Sequence, residues 1–466
     1  MMVIDKLLRS GDRRIAPQVL LPSVVIFLSK LVTWAVFPNP SIQPDSATYV
    51  PISWLNFDLV SLSGHAQRGW PVPLLYTLIP SGTSQVLFQL IFSSFAWISL
   101  LVVSQRLLTN RFAKWFFPTT VAAIAVSPFC TQWDTVLLGT SIMVSTNVLI
   151  ISTLIHIWHK PGLQFPYIAF FIFLNIFLLL QKSSNIIICF LYALLVFFGP
   201  MKTVGKNRRL ISLFVLLPLM CYGVIVGNNV DRTWNYSYSG TTLLWQLGNQ
   251  SPASTSFRNF LEKSTSAPEC IYSQAPFEDV NTGIVKVLTN CPEGGQYVRT
   301  SLKLDFMEFL LANPKAGMQL AITSAGAVLT GSSSSYGRAI SLFPKSFDGL
   351  FFGEISPSLL SSGVSNQEEG LTAFFDGAPI WLFAPGLLWI FLGFSAGLLS
   401  IRGKSKKSYQ QYSTMLGIPF ILLIQLAVTA ILLPSEWVRQ SVPYYLPLLA
   451  LMILNISICL RGHETR

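Results

Sequence analysis

The feature that most constrains this chain is a series of apolar runs, most of them about 17 to 23 residues long, separated by short polar connections. An α-helix needs about 20 apolar residues to cross roughly 30 Å of hydrocarbon. Inside a bilayer only helices and closed barrels satisfy their own backbone polar groups. The runs therefore predict an all-α polytopic membrane protein with about ten transmembrane helices. The predicted spans are 17–37, 84–104, 115–130, 135–157, 165–181, 185–200, 209–227, 379–401, 413–433 and 441–460.

The charge content agrees with this class. Only 11% of the residues are charged, whereas soluble domains contain about 25%. The net charge of +11 does not predict nucleic-acid binding, because the basic residues lie in short clusters between apolar runs rather than on one basic face. The N-terminal run is long and lacks a small-residue cleavage site, so we interpret it as the first span rather than a signal peptide.

The basic clusters predict the orientation of the chain in the membrane. Positively charged short connections face the cytoplasm. An even number of spans places both termini on that same side, and both termini are basic. We therefore predict a multi-pass protein of the cell (inner) membrane, with the remaining connections outside. Eighteen of the 31 Lys and Arg residues lie in alternate connections, namely Lys6, Arg9, Arg13, Arg14, Arg106, Arg111, Lys114, Lys160, Lys202, Lys206, Arg208, Arg209, Arg402, Lys404, Lys406, Lys407, Arg461 and Arg466.

This orientation divides the chain into three parts. Residues 1–227 form an N-terminal membrane module that contains the first outer loop, 38–83. Residues 228–378 form a large extracytoplasmic loop domain, and residues 379–466 form the last membrane helices. The apolar stretch 316–331 is short for a span, and a crossing there would place the next basic cluster outside. We interpret it as an amphipathic or surface-lying helix.

Two of the six cysteines predict a disulfide. Cys270 and Cys291 are the only cysteines in the large outer loop, where the environment is oxidising. The remaining four lie in or beside spans and read as small buried apolar residues. No cysteine or histidine spacing typical of a metal site occurs.

Acidic residues beside the membrane are candidates for chemistry, because ionisable groups near hydrocarbon are costly and rare. Asp45 follows Pro44 shortly after the first span, where it is either the N-cap of a short helix or a general base at the membrane surface. Asp134 lies in a short outer turn beside Trp133. It is either the N-cap of the next span or a second functional carboxylate.

Cations at the outer boundary are candidates for binding a phosphate. Arg68 precedes the second span, and the planar fork of an arginine suits phosphate oxygens. Lys182 and Arg439 lie in later outer connections, the latter close to Glu436, and together Glu436 and Arg439 could hold a head group. Each cation is also explained by snorkelling to the interface. Lys30 lies inside the first span, about 10 Å from its outer end. Its side chain could likewise snorkel to the interface.

Four motifs together resemble the GT-C superfamily of polytopic glycosyltransferases, which use polyprenyl- or dolichyl-phosphate sugars. They are Pro44–Asp45–Ser46 with Tyr49, Arg68–Gly69–Trp70–Pro71, Trp133–Asp134, and Glu436 and Arg439 followed by Pro443–Tyr444–Tyr445 and Pro447. They cover the first 140 residues and the last 35. The fourth span begins Leu138–Gly139–Thr140–Ser141, without the Ser-Glu pair of many relatives, and residues 228–378 resemble no family that we can name.

The resemblance implies a membrane glycosyltransferase with an extracytoplasmic active site. Its donor would be a polyprenyl-phosphate sugar and its acceptor a glycan, lipid or protein. Asp45 resembles the catalytic Asp of the family, and Asp134 would orient the acceptor or bind a divalent cation. Arg68, Tyr49, Lys182, Glu436 and Arg439 would contact substrate. No cofactor is required.

Two other functions fit a membrane protein of this kind. A lipid-linked polysaccharide polymerase or ligase would use Arg and His residues of the large loop. A transporter would carry ionisable residues at the bilayer midplane and broken helices in repeated halves. The mid-span regions contain few acidic residues and no half-repeat is visible, so the sequence favours the transferase.

Overall fold

Helices account for the regular structure of the residues that the computed structural model describes, which are 16–40, 71–79, 81–159, 165–182, 185–198, 252–264, 267–273, 290–329, 379–401, 413–432, 437–460 and the single positions 217, 221, 225, 243 and 247. The helices are α1 (Pro17–Val36), α2 (Pro71–Leu78), α3 (Gly82–Ser104), α4 (Arg111–Val126), α5 (Pro128–Thr135), α6 (Gly139–His159), α7 (Phe165–Gln181), α8 (Ile186–Phe198), α9 (Pro252–Lys263), α10 (Glu269–Tyr272), α11 (Pro292–Thr300), α12 (Leu302–Ala312), α13 (Pro314–Leu329), α14 (Pro379–Ile401), α15 (Ile418–Leu432) and α16 (Trp437–Cys459).

Within the described residues, four helical segments are long and apolar enough to cross a membrane, and they belong to α1, α3, α6 and α16. Shorter apolar stretches occur in α7, α8, α14 and α15. The predicted class, an all-α membrane protein, is confirmed at this level. The number of ten spans and the domain boundaries stay predictions. The predicted span 209–227 lies outside the described residues except for three single positions.

Helix α6 lies at the centre of the bundle. It is buried along its length and packs against α3, α7 and α16. Several of its polar side chains bond within the helix: the Thr146 hydroxyl donates to the Ile142 carbonyl, and the Ser152 hydroxyl donates to the Val148 carbonyl. Small residues of this kind let neighbouring helices approach closely in a membrane.

The connection between α4 and α6 differs from the predicted short turn. It contains a further helix, α5, which begins with Pro128 at its first position. Proline is tolerated there because an N–H at that position would have no partner within the helix. Ser127 caps this helix by accepting a hydrogen bond from the Cys130 amide. A proline next to a capping serine is a helix-start signal. The start of α5 was not predicted, because the apolar run of the third predicted span continues to Cys130.

Hydrogen bonds bring several helix ends together at one face of the bundle. The Trp34 indole, at the end of α1, donates to the Thr83 carbonyl at the start of α3 over 3.3 Å. The Tyr444 hydroxyl, near the start of α16, donates to the side chain of Asn185, just before α8. The end of α1 and the starts of α3, α8 and α16 therefore face the same way.

The opposite face is defined by contacts of the basic connections. The Asn110 side chain donates to the Leu460 carbonyl over 3.4 Å, which joins the start of α4 to the end of α16. The Asn455 side chain donates to the Met415 carbonyl over 2.6 Å. These bonds place the start of α4 beside the end of α16.

The described part of the large predicted loop has an apolar core of its own. Phe257 of α9 packs against Phe306 and Phe309 of α12, with ring centroids 5.0 Å apart in both cases. Aromatic pairs at such distances stabilise a core beyond the area that they bury. Helix α13 connects this core to the bundle, since it packs against both α9 and the apolar helices α14 and α15.

The predicted disulfide between Cys270 and Cys291 is confirmed. Cys291 precedes α11 and caps it, because its sulfur accepts a hydrogen bond from the Gly294 amide over 3.0 Å. The bridge closes a loop with a sequence separation of 21, for which loop-closure entropy predicts a stabilisation of about 3 kcal/mol. Nearby, burial raises the pKa of Tyr297, whose hydroxyl donates to the Asp305 carboxylate.

Candidate functional site

The most unusual polar contact in the described bundle is an ion pair between Lys30 of α1 and Asp134 of α5. The Lys30 ammonium lies 2.5 Å from Asp134 Oδ2. The two residues have relative exposures of 1% and 2%. Taking two charges out of water costs several kcal/mol per ion, and only a close and well hydrogen-bonded pair offsets that cost.

Hydrogen bonds from neighbouring side chains complete the pair. The Ser141 hydroxyl of α6 donates to Asp134 Oδ1. The Lys30 ammonium donates to the Thr131 hydroxyl over 2.9 Å. Both carboxylate oxygens and the ammonium group are thus bonded to partners from three helices. The contact fixes α1 and α5 relative to the start of α6.

These contacts decide between two alternatives for Asp134. An N-cap side chain accepts a hydrogen bond from the backbone amides of its helix. Helix α6 begins at Gly139, five residues beyond Asp134, and the carboxylate bonds to the side chains of Lys30 and Ser141 instead. The N-cap alternative is therefore wrong, and Asp134 is the anion of a buried ion pair.

The expectation that Lys30 snorkels to the interface is also corrected. Its side chain turns into the protein to reach Asp134, because a partnered burial satisfies the charge without exposure. Lys30 lies six residues before the end of α1 at Val36, a rise of about 9 Å. The pair therefore lies below one face of the bundle, about 5 Å from the midpoint of this 20-residue helix.

Helix α2, at the end of the first predicted outer loop, covers the segment that follows Asp134. The Tyr76 hydroxyl donates to the Leu138 carbonyl over 3.4 Å. Val72 and Tyr76 pack against Ile142 of α6 in a small apolar cluster. From below, the Gln89 side chain of α3 donates to the Val136 carbonyl over 3.2 Å. The segment between α5 and α6 is thus held between α2 and α3.

The two ends of the first predicted outer loop meet at the same place. A Cβ atom added to Gly82 would lie 2.9 Å from the Pro40 ring. Only glycine allows this approach of the loop start to the beginning of α3. At the loop end, the Gln85 side chain donates to the Ile79 carbonyl over 2.7 Å. The described ends of the loop that carries Asp45 and Arg68 therefore lie together, beside the end of α1 and the start of α3.

The later predicted cations lie on elements that meet one another. Lys182, which is half-buried, ends α7, and its carbonyl accepts a hydrogen bond from the Asn185 amide over 3.0 Å. Asn185 in turn accepts from Tyr444, five residues beyond Arg439 on α16. Helix α7 also packs against α2, where Phe177 contacts the apolar cluster. Helix α7, which precedes Lys182, and the segment after α5 thus both contact α2, while α16 contacts the residue before α8.

Four predicted site residues, namely Asp45, Tyr49, Arg68 and Glu436, lie outside the described residues. Arg439 lies in α16, and its backbone is described. The pairing partner of Asp134 was not predicted. The sequence did contain a signal for it, since Lys30 is the only charged residue of the first span, and a lone charge within a span usually has a partner.

The surroundings of Asp134 do not fit a divalent cation. Such ions need several oxygen ligands, most often carboxylates. One oxygen of Asp134 is paired with an ammonium group and the other accepts from a serine. Within the described residues there is also no cluster of three or more His, Cys, Asp or Glu side chains placed to hold a metal ion.

Comparisons with known proteins give no further lead, since no family model, curated protein or solved structure matches this chain.

Proposed function

We propose that this protein is a membrane glycosyltransferase that takes its sugar from a polyprenyl-phosphate donor on the extracytoplasmic face. The proposal includes ten spans with both termini in the cytoplasm, in the cell membrane. The resemblance of the four motifs to GT-C enzymes supports it. So does the contact of α2, which begins with Pro71 of the second motif, with the segment that follows Asp134.

The observation that carries the proposal is the place of the Lys30–Asp134 pair. It lies about 9 Å, six residues at the rise of an α-helix, below the face from which the first outer loop leaves. A donor with a membrane-embedded tail presents its phosphate and sugar at this face, above the pair. A buried pair here gives the loop a rigid base, as a preorganised active site requires.

The proposed reaction is a substitution at the sugar C1 atom. A bond forms between the acceptor oxygen and C1, and the bond between C1 and the phosphate oxygen breaks. Asp45 takes the proton of the acceptor hydroxyl as general base. Polyprenyl phosphate leaves, and Arg68, Lys182 and Arg439 stabilise its charge. Tyr49 and Glu436 contact the sugar or head group.

Asp134 has a positioning role in this proposal. Both of its oxygens are occupied, so it supports the site through Lys30 and Ser141 rather than through contact with the acceptor. For the same reason the proposed transfer uses no divalent cation at Asp134.

Transport is the second candidate, because a specific observation favours it. Buried, paired ionisable residues in a bundle often mark ion or proton pathways. Against transport stands the closed bonding of the pair, whose ammonium group and both carboxylate oxygens already contact protein partners. A lipid-linked polysaccharide polymerase or ligase would share the donor class and differ in the acceptor.

Turnover of a lipid-linked sugar tests the proposal. Purified protein in proteoliposomes would be given a panel of polyprenyl-phosphate sugars with labelled sugar, together with candidate glycan, lipid and protein acceptors. The matching nucleotide sugars serve as control donors. We expect free polyprenyl phosphate to be released from at least one lipid donor. We expect no sugar to be transferred from the nucleotide donors. Uptake of labelled sugar without cleavage of any donor would indicate transport instead.

The proposed orientation predicts the location of three reporter fusions. Reporters fused after Arg209 and after Arg402 should be cytoplasmic, because they follow basic connections. A reporter near Gly295, in the disulfide-bonded region, should be outside. Paired alkaline phosphatase and green fluorescent protein fusions measure this. An external reporter at either of the first two positions contradicts the orientation.

A further inference from the structure

One surface of the described outer-loop region is apolar and uncovered. On α12 the side chains of Leu304, Met307 and Leu311 are exposed, Leu304 by 69% and Leu311 by 82%. Their spacing of three and four residues places them on one face of the helix. The opposite face supplies Phe306 and Phe309 to the core. Lys303 and Glu308, which are also exposed, flank this apolar row, as charged residues do on a helix that lies in a membrane interface.

Helix α13 carries a second exposed apolar row. Met318 and Ile322, four residues apart, are exposed by 62% and 65%. Lys315 precedes Met318 by three residues on the same face and is also exposed. Ala316 and Leu320, on the other side, pack into the core of the loop region. We call the five exposed side chains Leu304, Met307, Leu311, Met318 and Ile322 the apolar ridge.

The neighbours of α13 indicate what covers the ridge. This helix packs directly against α14 and α15, two apolar helices of the bundle. Helix α14 itself exposes large apolar side chains, among them Leu388 and Phe391. In a membrane protein such side chains face lipid. The ridge is thus attached, through α13, to a surface that is already covered by lipid.

A lysine at the end of an apolar row is typical of helices that lie in a membrane interface. The aliphatic stem of Lys315 can follow the apolar surface while its ammonium group reaches the head groups. Contiguous exposed apolar patches of this kind mark binding sites for proteins or membranes. The continuity with α14 favours the membrane over a protein partner.

We propose that the apolar ridge of α12 and α13 lies in the lipid leaflet next to the outer-loop region and holds that region against the membrane surface. The ridge side chains contact acyl chains near the head groups, and Lys315 contacts lipid phosphates. This contact keeps the disulfide-bonded region beside the bundle. It is independent of whether the protein transfers sugars.

Fluorescence quenching at single sites tests this proposal. An environment-sensitive dye would be attached to Leu311→Cys and, separately, to Met318→Cys, in a Cys221→Ser background that removes an exposed thiol. Glu262→Cys, on the exposed polar face of α9, is the matched control. The full-length variants would be reconstituted in phosphatidylcholine vesicles with a minority of phosphatidylglycerol.

We expect dye at both ridge positions to show blue-shifted emission, to lose most of its emission to lipids that carry a nitroxide high on the acyl chain, and to resist aqueous iodide. Dye at the control position should respond in the opposite way. Ridge dyes that iodide quenches as strongly as the control would overturn the proposal. So would ridge dyes shielded from both quenchers, since that result means contact with protein.

Discussion

Replacing Lys30 with methionine is expected to lower the free energy of unfolding by about 3–5 kcal/mol, the usual effect of removing one partner from a buried ion pair. Asp134, with a relative exposure of 2%, would then keep its charge or take up a proton in a site closed to water. Ser141 would remain as a single hydrogen-bond donor to it. Asp134→Asn should destabilise the protein to a similar extent, because it leaves the ammonium group without its counter-ion.

The double variant separates an ion pair from two independent effects. Lys30→Met combined with Asp134→Asn removes both charges, so the desolvation penalty disappears with the attraction. We expect its stability to lie closer to wild type than that of either single variant, which a double-mutant cycle measures as a coupling energy. Arg111→Met, at an exposed cation that begins α4, should change stability by less than about 0.5 kcal/mol.

Unfolding midpoints in mixed micelles of mild detergent and sodium dodecyl sulfate give these differences. Additive losses in the double variant would contradict the pair. So would single variants that unfold like the Arg111→Met control.

The long apolar runs of the sequence were sufficient to predict the membrane class and most helices of the bundle. Runs such as 165–181 and 379–401 correspond closely to α7 and α14, because a span is defined by local composition. The Cys270–Cys291 bridge was equally predictable, since these are the only two cysteines of the outer loop. The helices can be predicted from short stretches of sequence. The bridge can be predicted because no other cysteine of the loop is available.

The contacts of the site could not be predicted in the same way. Lys30 and Asp134 are 104 residues apart, and neither apolar runs nor charge clusters determine which helices are neighbours. The packing of α1 against α4 brings them together. A single lysine within a span indicates that some partner exists, but only the packing identifies which acid it is.

The second prediction concerns the proposed base. Asp45→Asn keeps the size of the side chain and its capacity to cap a helix, but it removes a group that can accept a proton. If Asp45 takes the proton of the acceptor, the rate of sugar transfer should fall by about 100-fold or more. Insertion and folding should be unchanged, because asparagine caps a helix about as well as aspartate.

Asp58→Asn is the matched control, because Asp58 lies in the same predicted outer loop. The substitution removes its negative charge in the same way. It should leave transfer close to wild type. A loss in both variants would indicate that the charge of the loop, rather than one base, is required.

The initial rate of polyprenyl phosphate release from a lipid-linked sugar, measured for folded wild-type and Asp45→Asn protein in the same proteoliposomes, tests the central claim most directly. The account predicts donor-dependent release by the wild type and a rate lower by about 100-fold or more in the variant. Equal rates in the two proteins would show that Asp45 is not the base. Absence of release from every lipid donor by the wild type would contradict the proposed function itself.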